Sequence, residues 1–457
     1  MIGRILAWMR GSGDGLRLPW RMFWVAFGVR VLYMTLAHTY HVRTFQDHFQ
    51  FAWEVGRIAR ALATGYGYAD PFVGHTGPTA WSPPLYPLLI AGVFKIFGIY
   101  TPASAWVVLT LNSLFSAAIV PAIYEIATRC YDNYGHGKGV ALWSGWLWAL
   151  YPAAMQYAVR WLWEMSLTTC LLTWVFVIAL RVRGIGDRET SGDLQSRKDP
   201  QTTRRWALFG VLWAAIWLSN ASLILFLPAC GVWMLMGHVQ NRPRAFAKAA
   251  LSGVLCVACL APWVVRNYVV FHAFIPTRGN LGAELYQSML PSNDGFPWGT
   301  TIPYVEAHPE YKAYKSMGEV AYVKHKGEEA NALIRAHKRR FVGYAAKRFY
   351  FFWAGVPHPI EHGWLNEAGR ELNYAFLSVA GLLGLGLSLK RRVPGATLFA
   401  WAFVLLPLAY YFVTSGARFR HPLEPVIDIL AVFLFQSATS RRDMRLQSSD
   451  MAGEMKA

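Results

Sequence analysis

A chain of 457 residues that is 54% hydrophobic and only 15% charged lacks the roughly one-quarter charged content of soluble domains. With its long apolar runs it reads as an all-α polytopic membrane protein. A net charge of +18 would raise nucleic-acid binding in a soluble chain, but here the basic residues fall in short loops, so topology explains them and nucleic acid is set aside.

About ten spanning helices are expected, near 22–40, 103–128, 139–160, 165–183, 206–220, 222–238, 249–270, 373–389, 395–414 and 424–437. Several are short against the ~20 residues a span needs. Arg4, Arg10, Arg17 and Arg21 precede the first span. Thr35-Leu36-Ala37 is a poor cleavage site, so the N-terminus reads as an uncleaved anchor. The five cysteines, at 130, 170, 230, 256 and 259, sit in or beside spans and imply no disulfide framework. Cys256 and Cys259 read as packing residues of an apolar helix.

The positive-inside rule sets the orientation. The basic N-terminus, Arg129–Lys138, the loop 184–205, Arg242/Arg244/Lys248, Lys390-Arg391-Arg392 and the tail Arg441/Arg442/Arg445 share one side if the count of spans is even. Both termini are then cytoplasmic. The outer side holds the first loop 41–102, the turn near 160–165, the segment 271–372 and the turn 415–424. This divides the chain into a transmembrane module (1–270), an outer soluble segment (271–372), C-terminal spans (373–437) and a cytoplasmic tail (438–457).

Within the first loop, 47–63 has the apolar spacing of a helix lying on the membrane. Residues 84–98 are apolar but only about fifteen long, which suits a second interfacial or re-entrant helix. Loop 184–205 is polar and charged and is expected to be disordered. Segment 306–350 reads as one or two helices of a small outer domain.

The candidate chemistry gathers on the outer side. Asp47, ahead of the amphipathic helix, is either an N-cap or a general base at an interfacial cleft. Glu164 sits where one helix ends and the next begins, among Trp161, Leu162 and Trp163. Ionisable groups at such positions usually have a task. Arg266, with Tyr268 beyond it, either snorkels or holds a phosphate. Arg418, Arg420 and His421 form a compact cationic turn suited to an anion. Arg160 and the Tyr86 hydroxyl are further substrate-binding candidates. Two carboxylates and a ring of arginines suit transfer from a phosphate-linked donor: a carboxylate takes the acceptor's proton and arginines stabilise the departing phosphate. A divalent metal is left open, with His48 as its candidate ligand beside Asp47. His358-Pro359-Ile360-Glu361-His362 matches an inverted zinc-protease pattern, but Pro359 and Gly363 favour a turn over the helix that chemistry needs.

Several of these motifs, in this order and spacing, resemble a known family. They are Asp47 after the first span, Ser82-Pro83-Pro84-Leu85-Tyr86-Pro87 before an apolar helix ending Phe97-Gly98, Tyr151-Pro152 followed by Glu164, and Ala261-Pro262-Trp263 through Arg266-Asn267-Tyr268. Over roughly 20–275 the chain is similar to the GT-C glycosyltransferases of the protein O-mannosyltransferase and aminoarabinose-transferase type. The bacterial branch of family 39, with the lipopolysaccharide-core galacturonosyltransferases, is nearest. The resemblance implies a sugar donor on a polyprenyl-phosphate carrier. It also implies inverting transfer to a glycan, lipid or protein hydroxyl on the outer face of the bacterial inner membrane. Asp47 would match the family's first-loop acid, Glu164 its second-loop acid, and Arg266 an arginine facing the lipid phosphate. His48 stands where the family often has a second acid or a basic residue. Ser82 and Pro83 stand where the aminoarabinose branch has lysine, a place that Arg57, Arg160 or Arg420 would fill. The alternative is a transporter or flippase of lipid-linked saccharides, which tends to show inverted repeats and mid-bilayer polar groups; no repeat is visible here.

Overall fold

A computed structural model describes residues 9, 17–42, 51–132, 137–187, 195–237, 242–293, 308–356 and 364–438, with backbone alone at 195–200, 366 and 367. The chain is 79% helical, and among the described residues it has no strand, only an isolated bridge between Ala69 and Pro78.

The first half gives α1 (Leu18–Leu36), α2 (Glu54–Ala63), α3 (Leu85–Phe97), α4 (Pro102–Tyr131), α5 (Gly137–Leu150), α6 (Pro152–Val159) and α7 (Met165–Val182). Next come α8 (Gln195–Trp217), a 3-10 turn (Ala221–Leu225), α9 (Phe226–Met236) and α10 (Arg242–Phe271). The outer segment supplies α11 (Leu281–Met289), α12 (Pro309–Met317), α13 (Glu319–Ala336) and α14 (Lys338–Ala354). The chain closes with α15 (Trp364–Lys390), α16 (Ala396–Leu405), α17 (Leu408–Phe412), α18 (Ala417–Arg420) and α19 (424–438). Among the described residues four helices, Pro102–Tyr131, Met165–Val182, Arg242–Phe271 and Ala368–Lys390, are long and apolar enough to cross a membrane. The protein is therefore of membrane type.

Local chemistry explains where the helices stop. Thr101 caps α4 by accepting from the Ser104 N–H at 3.1 Å, with Pro102 at the first helical position, where its missing N–H costs nothing. The expected span 139–160 is two helices. Tyr151 precedes Pro152 and is extended (ψ 119°), because a residue before proline is driven out of the helical region. Pro407 likewise stands between α16 and α17. The expected disordered loop 184–205 is instead helical from Gln195 onward, continuous with the span that follows. The outer segment has three helices in 309–354 rather than one or two.

α4 is the central helix and packs on α1, α5 and α7, while α8 packs on α7 and α10. The main core threads these helices together with α9, α15, α16 and α19. Arg30 lies fully inside it. Its guanidinium donates to the carbonyls of Trp148 and Ala149 at 2.9 Å each, the carbonyls at the C-terminus of α5 that have no helical partner. A smaller core joins α2 and α3 to the ends of α1 and α4. A third, built on Phe72, Trp81, Tyr311, Tyr314 and Tyr322, docks the outer segment on the first loop.

Candidate active site

One cavity of about 1090 Å³ opens where several stretches of chain meet: 52–55, 82–87, 151–164, 217–225, 276–287, 355–356, 370–374 and 409–419. Its wall is aromatic, with Trp53, Trp161, Trp163, Trp217, Tyr410 and Phe419. The Trp161 and Trp163 rings are stacked, with centroids 4.6 Å apart.

Glu164 faces this cavity. It occupies the residue before α7, where the chain turns after Arg160. Among the described residues its carboxyl accepts only from its own backbone N–H. Burial pushes this carboxyl above its ordinary value, against the pull of Arg418 and Arg278. Tyr86 also lines the cavity, its hydroxyl donating to Asn112 Oδ1 at 3.0 Å. Arg418 completes the predicted residues found here. Its guanidinium lies 4.4 Å from the Trp163 ring centroid and 4.7 Å from that of Phe419, and it pairs with no carboxylate among the described residues.

The other predicted groups are placed elsewhere. Arg266 donates to the carbonyls of Thr79 and Tyr68, both at 2.7 Å, and to Asn267 Oδ1 at 2.9 Å. It thereby pins the first loop to the end of α10 instead of facing the cavity. Tyr268 is 60% exposed on the outside of α10. Arg160 is exposed at the C-terminus of α6. Arg420 and His421 are buried behind the cavity wall. Arg420 bonds the Tyr374 carbonyl (2.9 Å), Ser378 Oγ and Glu424 (3.3 Å). His421 Nδ1 meets Glu424 Oε2 at 2.6 Å. Asp47 and His48 lie outside the described residues, as does the segment His358–His362.

Four cavity residues have no local signature in the sequence. Glu54, the first residue of α2, lines the cavity behind an unusual backbone. Ala52 (φ 65°) and Trp53 (φ 53°) are successive non-glycine residues in the left-handed region, a strain of about 1–3 kcal/mol each that persists only when its surroundings enforce it. Burial raises the Glu54 carboxyl above its ordinary value; its own N–H, Arg278 and Arg418 oppose this and Glu284 adds to it. Glu284 is engaged, accepting from Arg278 Nη2 at 3.2 Å and from Asn280 Nδ2 at 3.1 Å. Arg278 keeps its buried Nε without a partner. Ser415, fully buried on the cavity wall, also has a hydroxyl with no partner.

The site can therefore do two things. Arg278 Nε, Ser415 Oγ and Arg418 are unengaged donors that can receive an anion. Glu54 and Glu164 are carboxyls that can hold or take a proton. Among the described residues no three of His, Cys, Asp or Glu gather to hold a metal ion; the candidate ligands Asp47 and His48 lie outside those residues.

No protein-family model matches the chain and no curated protein does. Among solved structures it is similar to the archaeal oligosaccharyltransferase AglB from Archaeoglobus fulgidus in complex with an inhibitory peptide and a dolichol-phosphate. That likeness has 12% identity and a TM-score of 0.54, covering 96% of this chain and 52% of the other. The apo form of the Archaeoglobus fulgidus enzyme gives 13% identity and a TM-score of 0.54 over 95% of this chain and 52% of that one. The chain thus spans about half the length of these enzymes. At this identity the likeness shows the fold alone.

Proposed function

We propose that the protein is a membrane glycosyltransferase that moves a sugar from a polyprenyl-phosphate-linked donor to an acceptor hydroxyl, on the outer face of the bacterial inner membrane. The observation that carries this reading is the meeting, in one aromatic cavity, of unengaged anion donors (Arg278 Nε, Ser415 Oγ, Arg418) with unengaged carboxyls (Glu54, Glu164). The fold and the order of motifs in the first 275 residues support it.

In this reading the guanidinium of Arg418, the Nε–H of Arg278 and the hydroxyl of Ser415 bind the phosphate, where charge grows as the sugar leaves. The tryptophan faces receive the sugar and the first prenyl units. A carboxylate takes the proton of the acceptor hydroxyl as it attacks. Glu164 is that group on the cavity wall, and Asp47 is the first-loop acid that the family resemblance matches to a catalytic position. No step is routed through a metal.

The test is incubation of the protein in nanodiscs with the polyprenyl-phosphate sugars extracted from its source cells and a cell-envelope acceptor fraction. Free polyprenyl phosphate is then measured by mass spectrometry. Release by wild type, lost in Glu164→Gln, is the expected result. Movement of intact donor across a liposome bilayer with no release would overturn the proposal in favour of transport.

A further inference from the structure

Two helices of the outer segment meet at His337 and present different chemistry. On α13 the exposed residues include Lys324, His325, Glu328, Asn331 and Arg335, a mixed-charge face suited to water. The 17 residues of α14 include five basic and seven aromatic side chains and no acid. The inner face of α14 is fastened. Arg348, fully buried, donates to the carbonyls of Ser288, Phe412 (3.1 Å) and Tyr411 (3.4 Å), and Phe341 stacks on Phe412. The other face is open among the described residues. Val342, Gly343, Ala346 and Tyr350 recur at helical spacing and are exposed. Val342 is 65% and Tyr350 60% exposed, with Phe349 beside them at 53%. A Cβ added at Gly343 would meet nothing within 4 Å. Lys338 and Arg339 are exposed at the N-terminal end, with Arg340 half-buried.

The C-terminal end of α14 fixes its height. The Trp353 carbonyl accepts from Ser378 Oγ at 2.5 Å, and the Phe352 carbonyl from the Tyr374 hydroxyl at 3.3 Å. Both donors lie in Ala368–Lys390, a stretch long and apolar enough to cross a membrane. The Trp353 ring stacks on Phe403 of apolar α16, with centroids 5.5 Å apart. At about 1.5 Å per residue, Val342 stands about 16 Å from Trp353 along the axis. A headgroup layer is only about 5–8 Å deep. An upright helix would carry Val342 and Ala346 into water, whereas one lying along the surface keeps the whole open face at the interface. Apolar and aromatic side chains on one face, with Lys and Arg and no acid, suit a helix seated on anionic lipid. We propose that α14 lies along the bilayer surface at the cavity end of the bundle. Val342, Ala346, Phe349 and Tyr350 meet the acyl boundary, and Lys338, Arg339 and Arg340 reach the phosphates of anionic phospholipids. This surface does not depend on the glycosyl-transfer reading. Seated in this way, α14 sets the depth of the cavity. Arg348 holds both the end of α11, whose Glu284 and Gln287 line the cavity, and the turn that leads to Ser415 and Arg418.

The test uses the full chain in vesicles of equal parts phosphatidylcholine and phosphatidylglycerol. Cys259, the exposed cysteine, is first removed by Cys259→Ala. A nitroxide is then attached through Val342→Cys, Ala346→Cys or Tyr350→Cys, and through Glu328→Cys on α13 for comparison. Collisions with oxygen, which concentrates in lipid, are measured against collisions with a water-soluble nickel chelate. Oxygen should dominate at the three α14 positions and nickel at 328. Each basic side chain near an anionic surface favours seating by about fivefold. Vesicles of phosphatidylcholine alone should therefore raise nickel collision at 342, the labelled position nearest the basic run. With Lys338→Gln, Arg339→Gln and Arg340→Gln combined, the two lipid compositions should give the same value. Thermal melting checks that each variant is folded. Nickel-dominated collision at 342 and 346 without the glutamine substitutions overturns the proposal. Shielding from both reagents at the three α14 positions also overturns it, in favour of a protein partner on this face. A response to phosphatidylglycerol that persists in the triple variant overturns the contact between the basic run and lipid phosphate.

Discussion

The two ends of the helical bundle treat their charges in opposite ways. At the end rich in basic loops, Glu125 takes Arg129 Nε at 2.7 Å, Arg181 Nε at 2.6 Å and Arg181 Nη2 at 2.5 Å. Arg129 also reaches the Ile185 carbonyl at 2.7 Å and Asp187 at 2.8 Å, and Arg205 bonds the Arg181 carbonyl at 2.9 Å. This network ties α4, α7 and α8 together. At the cavity end, Glu54 and Glu164 have no side-chain hydrogen-bond partner among the described residues, where Ser415 Oγ and Arg278 Nε are also orphaned, and Arg418 rests on aromatic faces. Buried polar groups without partners cost about 1–3 kcal/mol each. A fold that pairs its charges at one end and leaves charged groups open at the other carries part of that cost where a ligand is to be bound.

The largest effect that would break this comparison is on turnover. Glu164→Gln is expected to lower polyprenyl-phosphate release by about 10²–10⁴-fold, the usual contribution of a general base, with the melting temperature unchanged or raised. Glu125→Gln is the converse. It leaves two arginines short of a carboxylate and is expected to cost about 1–3 kcal/mol of stability, read as a fall in melting temperature, with turnover per folded molecule unchanged. If Glu164→Gln destabilises as much as Glu125→Gln and spares turnover, the open end is not a reaction site.

Next in size is ligand affinity. Arg418→Ala removes a cavity arginine that pairs with no carboxylate among the described residues, and undecaprenyl phosphate should bind about 10- to 100-fold more weakly, as expected for a charge-assisted hydrogen bond. Arg420→Gln, two residues on, should affect stability more than affinity, because Arg420 is bonded to Tyr374, Ser378 and Glu424 and not to the cavity. Equal losses of affinity in the two variants would erase the distinction between a binding arginine and a structural one.

That distinction marks what a sequence can and cannot disclose. Helix ends were legible where proline sets them, as at Pro102, because the cause is local. Glu164, Tyr86 and Arg418 were legible as cavity residues, since an acid or a base between two apolar helices has few places to go. Arg266 and His421 look the same by that criterion. Their partners lie far along the chain or behind the wall: Arg266 bonds Tyr68, 198 residues away, and His421 stacks on Trp148 and packs against Tyr157 at a tilt. Arg278 and Ser415 sit in stretches with no periodicity or motif, and only the assembled fold brings them to Glu54. The helix from Gln195 was missed because its first turns are polar, and their helicity is carried by the apolar span they lead into.

The smallest effect concerns how the outer segment is held over the cavity. Glu319, at the start of α13, accepts from Thr79 Oγ1 at 2.5 Å, the Ala80 N–H at 2.6 Å and the Tyr314 hydroxyl at 2.8 Å. It joins the outer segment to the first loop. Burial raises this carboxyl above its ordinary value, although the three donors and Arg266 oppose the shift. The folded state therefore holds its proton more tightly than the unfolded state, and stability falls as pH rises from the ordinary value of 4.5 through the folded one. Hydrogen exchange over 309–336 should accordingly quicken between pH 5 and 8, once the intrinsic rate is divided out, while exchange in α4 stays constant. Glu319→Gln should abolish that trend without detaching the segment, since its carbonyl can still accept from Ala80 and the two hydroxyls can rotate to accept from the amide. The cavity wall at Arg278 and Glu284 belongs to the same segment, and Gly279 donates to the Ala80 carbonyl at 2.8 Å. A loosening of 309–336 should therefore weaken undecaprenyl phosphate binding in wild type at high pH by a component that Glu319→Gln removes. If Glu319→Gln leaves the pH dependence of exchange over 309–336 as it is in wild type, Glu319 is not the group that loosens the segment.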